Sequence, residues 1–405
     1  MIYHFDWSTY FLMVGLAFRE ENPRVRWRLL AKLFFVVPAV ASFHAVCFFL
    51  DWVLFPGLRR QELRSPVFIV GHARSGTTLL HRLMSEDRER FSAFLLWELY
   101  FPSLLQKKLL RWLGKLDADL LGGFFGRRME DWDRRKFAAT QDIHAMSLFK
   151  AEEDDFILTY SCASGWWIVL LPYMGHLDFY YVDEWPERRR RRLMAFYREC
   201  VRRELYLNGG DRLHLSKNPT YCGRVESLIE AFPDARIVVT MRNPHETIPS
   251  LLKLMKRSWQ LRQWSDADMQ GSLRILAGMS FHNYQHPLAV LARHPETKHA
   301  IVDYRDLVAE PKRVVEEVYA KLAFPVSSDF ARTLEQEQQR ARTHETSHRY
   351  SLEEFGLESS AIRSGLAELF ERYQWDEAPA SASDRAGEGG ASAARDHTDQ
   401  ISDAG

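Results

Sequence analysis

Residues 66–84 run PVFIVGHARSGTTLLHRLM. An uncharged apolar run passes directly into a loop bracketed by Gly71 and Gly76, and then into a segment with helical spacing. A run apolar at every position suits a parallel strand buried on both faces. A tight strand-to-helix loop aims several backbone N–H groups and a helix N-terminus at one spot, which favours an anion. The glycines let the backbone come close to that anion, and their G-x4-G spacing is that of a nucleotide phosphate loop. Thr77, however, stands where an ATPase or kinase carries lysine. The loop's cation is Arg74, which can grip an oxyanion bidentately. Ser75, Gly76, Thr77 and Thr78 complete the candidate binding loop.

The same strand-then-helix pattern recurs downstream. Strands are predicted at 66–70, 212–216, 235–241 and 299–304. Helices follow over Thr77–Ser85, Tyr221–Ala231, His245–Trp259 and Pro311–Leu322. This alternation predicts an α/β fold: a phosphate-loop-type parallel sheet flanked by helices. Between about 100 and 210 the pattern is mainly helical, apart from an apolar patch at 156–173, and this insertion is the expected acceptor-binding region.

Three regions result: 1–64, 65–376 and 377–405. Within the first, residues 33–50 contain no Asp, Glu, Lys or Arg, and arginines flank the run on both sides. It is either a buried core helix or a membrane-embedded, re-entrant or interfacial segment. The last region is rich in Ala, Ser, Gly and Asp and lacks aromatic residues, the composition of a disordered tail. Four cysteines without a CxxC pair argue against a structural zinc site or a disulfide framework, and no metal is expected. Asn218 is followed by Pro219, so no Asn-x-Ser/Thr glycosylation acceptor is present. Both features fit a cytoplasmic setting, at the inner face of a membrane if 33–50 is a membrane segment. Lys plus Arg balances Asp plus Glu, which gives no signal for nucleic acid.

A second motif lies at 235–254, ARIVVTMRNPHETIPSLLKL. Its strand ends in Arg242, at the edge where open α/β sheets bind ligands, and Ser250 lies about two turns into the following helix. With RSGTT at 74–78, this pair resembles the sulfotransferases that use phosphoadenosine phosphosulfate (PAPS). The arginine form of the loop is similar to that of the tyrosylprotein sulfotransferases and a large bacterial group, whereas the cytosolic steroid and phenol enzymes usually carry lysine there. The resemblance implies that Arg74 to Thr78 hold the 5′-phosphosulfate and that Arg242 and Ser250 hold the 3′-phosphate. It extends to VDYRDLVAEP, with Tyr304, Asp306 and Pro311, and to RYSLEEFGL at 349–357, which resembles a segment closing over the nucleotide. His348 and Arg349 are candidates for that closure.

Sulfuryl transfer needs cations at the transferring group and one base. Lys217, in HLSKNP, resembles the family's Lys-x-Pro element and is the expected transition-state cation. Many bacterial relatives place a histidine two residues after that proline; here Tyr221 occupies the position. Glu98, in FLLWELYFP, follows the loop at the interval of the catalytic glutamate in the tyrosylprotein and heparan-type enzymes. It is the first candidate base, and His144 is its rival. Glu152, Glu153, Asp154 and Asp155 suit a solvated helix start, and Arg188 to Arg192 an exposed helix face. The expected activity is transfer to a hydroxyl or amine of a small-molecule or lipid acceptor. The alternatives are a phosphate-loop kinase or NTPase, disfavoured by Thr77 and by the Arg242/Ser250 pair, and a non-catalytic nucleotide-binding membrane scaffold. Oligomeric state is left open by the sequence.

Overall fold

A computed structural model describes residues 3–138, 146–341 and 351–375. Five strands form one sheet: β1 (Val67–Gly71), β2 (Phe91–Ser92), β3 (Leu213–Lys217), β4 (Arg236–Met241) and β5 (His299–Asp303). Their order is β2-β3-β1-β4-β5 and every pairing is parallel. The α/β fold expected from the strand pattern is therefore present. The two-residue β2 was not foreseen, because two residues are too few to show a periodicity.

β1 is central and wholly buried, as its uninterrupted apolar run requires. Val67 and Ile69 pack with Leu80, Leu83 and Met84 of the helix Thr77–Ser85, with Ala300 and Val302 of β5, and with Val314, Val315 and Val318 of the helix Pro311–Lys321. Each such side chain contributes about 1.5–3 kcal/mol on burial. This cluster anchors the rear of the loop. Register fixes the front: Ile69 faces Lys217 across β3, and Gly71 faces Thr240 across β4. The carboxyl ends of three adjacent strands thus meet around the loop between Gly71 and Thr77.

The N-terminal region folds as a helix Trp7–Arg19 and a long helix Pro23–Leu54, the latter containing a π-helical turn at Lys32–Val36. In a regular helix the Pro38 ring would collide with the carbonyl of Phe34. The wider turn contains Phe34 and ends just before Pro38, so the helix continues past it. The burial of 33–50 is one-sided. Leu29, Leu33, Val37, Ala41, Phe48 and Asp51 form one buried stripe, whereas Phe35, Phe43, Val46, Phe49 and Val53 are exposed. The helix is long and apolar enough to cross a membrane, yet it buries one side along its length.

The 156–173 patch forms a 3-10 turn (Asp154–Ser161) and a short helix (Trp166–Leu170). The expected tail from 377 lies outside the described residues. A second compact unit begins at Ser359; its described part is a helix Ser359–Gly365 and a helix Ala367–Tyr373, with Trp375 stacked on Tyr373 at 4.9 Å.

Candidate active site

The loop after β1 is held in a conformation that suits glycine at two points. A Cβ on Gly71 would lie 2.3 Å from Thr240 Oγ1 and 2.6 Å from the Thr240 carbonyl oxygen, and one on Gly76 would lie 2.6 Å from the Tyr304 ring. Both have positive φ. Arg74 also has positive φ, 74°, which costs a side-chain-bearing residue roughly 1–2 kcal/mol. Ser75 is buried; its hydroxyl lies 2.6 Å from Thr240 Oγ1 and its N–H donates to the His72 carbonyl. His72 supports the loop from behind, with Nδ1 2.7 Å from the Ala73 carbonyl oxygen, Nε2 2.9 Å from Ser280 Oγ, and its ring stacked on Tyr284. Burial pushes its pKa down to about 4, so it is neutral and adds no charge to the site.

The two motifs, far apart in sequence, touch. Arg74 Nε donates to Ser250 Oγ at 3.1 Å, and Arg242 Nη1 donates to the Arg74 carbonyl at 3.2 Å. Arg242 lies over the Tyr304 ring, 4.1 Å from its centre, and its Nε donates to Glu246 at 2.9 Å. Tyr284 OH donates to the Arg242 carbonyl. Two guanidinium groups, two hydroxyls and a helix N-terminus therefore meet at one edge of the sheet. That arrangement can hold two separate anionic groups of one ligand.

Lys217 ends β3, beside β1, and is buried except for its outlook onto Glu153: Nζ donates to Glu153 Oε1 at 3.0 Å. The acidic cluster 152–155 is not the solvated helix start expected from its charge. Asp154 and Asp155 are buried because each has partners: Asp154 accepts from Tyr197 OH and Ser216 Oγ, and Asp155 pairs with Arg224 at 2.7 Å and accepts from Ser164 Oγ. Glu153 is the accessible member, with 35% of its side chain exposed.

Glu98 lies in a different set of contacts. Its carboxylate accepts from the Leu95 N–H, capping the short helix Leu96–Leu99, and pairs with Arg111 at 2.9 Å. Arg111 in turn donates to the Leu207 carbonyl and Asn208, in the turn that precedes the opposite end of β3 from Lys217. Glu98 is 1% exposed. His144, His348 and Arg349 lie outside the described residues. The described part of 349–357 touches the helix that carries Ser250, through Lys256 with Glu354 and with the Phe355 ring. Tyr221 is buried under Arg224. In the arginine run, Arg189 pairs with Asp6 and Arg190 with Glu230, while Arg188, Arg191 and Arg192 are exposed.

Behind Lys217, His214 sits between Asp154 (3.2 Å) and Glu204 (3.3 Å). Burial opposes its charge, but hydrogen bonds to the two carboxylates outweigh that and raise its pKa to about 9. A folded-state pKa above the unfolded value of 6.5 contributes stability that is complete below pH 6.5 and lost as pH rises through about 9. Urea denaturation across this interval should show unfolding free energy falling with pH; a flat profile would mean that His214 is neutral in the fold.

The sulfotransferase family model matches residues 66–328, from the phosphate-loop strand past β5. The chain belongs to the sulfotransferase family. Among similar sequences are the omega-hydroxy-beta-dihydromenaquinone-9 sulfotransferases of Mycobacterium bovis and Mycobacterium tuberculosis, each 24% identical over 77% of this chain and 75% of its own length. Among solved structures, the sulfotransferase STF9 of Mycobacterium avium superposes with a TM-score of 0.70 at 17% identity, covering 92% of this chain and 93% of its own. STF1 of Mycobacterium tuberculosis gives 0.63 at 20% identity, covering 91% and 94%. This sulfotransferase is thus an enzyme that transfers sulfate, and the kinase and scaffold alternatives fall away. Glu153 is the residue whose place the sequence hid: nothing in the spacing between 153 and 217 shows that they meet.

Proposed function

We propose that this sulfotransferase takes the sulfuryl group of PAPS and transfers it to the hydroxyl of a lipid alcohol at the cytoplasmic face of a membrane. The observation that carries the donor assignment is the contact of the two anion motifs, Arg74 with Ser250 and Arg242 with the Arg74 carbonyl. Arg74 to Thr78 would hold the 5′-phosphosulfate, and Arg242 with Ser250 the 3′-phosphate. PAPS is a co-substrate that supplies an activated sulfur–oxygen bond.

Lys217 then faces the transferring group from the neighbouring strand. The acceptor oxygen forms a bond to sulfur while the bond from sulfur to the phosphate oxygen breaks, and the electron pair leaves with that phosphate. Lys217 stabilises the negative charge collected there. Glu153 takes the acceptor's proton. We place the base at Glu153 rather than Glu98 because Glu153 is accessible and touches Lys217, whereas Glu98 is buried in a cap and an ion pair.

The lipid acceptor rests on two supports: the menaquinone-derived alcohol named for the mycobacterial relatives, and the apolar outward face of the helix Pro23–Leu54. A helix that buries one side in the body and exposes apolar residues on the other suits a membrane surface better than a span.

The test is calorimetric titration with adenosine 3′,5′-bisphosphate in the absence of Mg²⁺. Binding is expected for the parent. In Arg74→Gly, affinity should fall at least about tenfold, since hydrogen bonds to charged groups contribute about 1.5–3 kcal/mol. The same substitution relieves the left-handed backbone at position 74, so thermal stability should not fall. Parent-like affinity in Arg74→Gly would remove the donor assignment.

A further inference from the structure

The helix Leu104–Leu121 is amphipathic in the unexpected sense. Leu109, Trp112, Leu113 and Leu120 recur at helical spacing on one stripe, and that stripe is exposed. Gly122 and Gly123, both at positive φ, reverse the chain into the helix Phe124–Phe137, where Phe125, Met129 and Trp132 are exposed at the same spacing. The tip of this hairpin presents Leu120 (74% exposed), Leu121, Phe124 and Phe125 (62%) to solvent. Apolar surface gathered this densely marks an interaction site.

The charges around it point to one partner. Lys108, Lys115, Arg127, Arg128, Arg134, Arg135 and Lys136 are exposed on the hairpin, against Asp119, Glu130 and Asp131. Two further acids are turned inward: Asp117 accepts from the N–H groups of Phe125 and Gly126, and Asp133 accepts from Ser147 Oγ and the Leu148 N–H. We infer that the hairpin 104–137 is a membrane-contacting element that inserts its tip into an anionic bilayer, its basic side chains meeting the headgroups. The hairpin is fixed to the N-terminal helix at its root. Asp51, within that helix, accepts from the N–H groups of Leu104 and Leu105 and from Ser103 Oγ, and pairs with buried Arg203 at 2.8 Å. This inference extends the membrane reading of the N-terminal helix to a second surface and is independent of the donor assignment.

The four native cysteines are buried, so a cysteine introduced at an exposed position can be labelled selectively. Full-length Leu121→Cys carrying an environment-sensitive fluorophore should brighten and shift to the blue on vesicles of phosphatidylcholine with phosphatidylglycerol. The response should weaken with salt and be smaller on phosphatidylcholine alone. In vesicle flotation, Leu120→Ser with Phe125→Ser should lower partitioning at least about tenfold, as expected from removing two large apolar groups from the interface, with affinity for adenosine 3′,5′-bisphosphate unchanged. A label at Phe43→Cys reports the N-terminal helix separately. If that label responds to vesicles and the one at Leu121 does not, the hairpin inference fails while the N-terminal reading stands. If the Leu121 label brightens and shifts to the blue without vesicles, increasingly with protein concentration, a second copy covers the face and the inference is overturned.

Discussion

Lys217→Ala should bind adenosine 3′,5′-bisphosphate nearly as the parent does and lose about 10²–10³ in turnover, the usual effect of deleting one preorganised charge donor. Lys217 is positioned by register rather than by its own loop. It pairs with Ile69, two residues before the phosphate loop begins, so its ammonium group is held beside the loop by the sheet. The ammonium group donates to Glu153 Oε1 at 3.0 Å. With Arg74 and Arg242 proposed as the main nucleotide-binding groups, the loss should fall on turnover and not on nucleotide binding. Stopped-flow or steady-state transfer of labelled sulfate, run beside the binding titration, separates the two. An equal loss in both would make Lys217 a binding residue.

Glu153→Gln should reduce turnover about 100-fold or more, the scale of a general base, while Glu98→Gln should leave turnover within a few-fold and instead lower the unfolding midpoint. The contrast follows from the partners of each carboxylate. Glu98 accepts from a helix N-terminus and from Arg111, and a neutral amide weakens both contacts, in keeping with a fold-stabilising role. Glu153 faces Lys217 with part of its side chain in solvent, which is why the proposal gives it the acceptor's proton. Rates for both variants with one soluble prenyl alcohol as acceptor decide between them. A normal rate in Glu153→Gln with a collapsed rate in Glu98→Gln would return the base to Glu98.

Much of the geometry of the candidate donor site was legible in the chain because its parts are local. The strand, loop and helix at 66–84 have a periodicity change and two glycines at fixed spacing, and the helix bounds Thr77–Ser85 are those found. Arg242 and Ser250 are likewise carried by one strand and the helix after it. What could not be read is what depends on contacts between remote segments. Glu153 looked like part of a solvated charge run because sequence shows charge but not partners; Arg224, His214, Ser216 and Lys217 that neutralise or hydrogen-bond this cluster arrive from residues more remote in the chain. The outward stripe on Leu104–Leu121 was hidden for a related reason. An amphipathic pattern gives a helix two faces but does not say which one meets the core.

The strand order has a further consequence. β1 is flanked by β3 on one side and β4 on the other, and the chain between β2 and β3, residues 93–212, forms a mainly helical insertion. Only a short helical return separates β3 from β4. Under the proposed function, recognition of the nucleotide and choice of acceptor would therefore be written in different stretches of the gene. Residues 93–212 can drift, lengthen or acquire a new lining around Glu153 while the loop after β1, β3 and β4 still deliver Arg74, Lys217 and Arg242 to the same edge. A scaffold of this kind is modular: swapping the insertion between two such enzymes should move the acceptor preference with it and leave the donor behind.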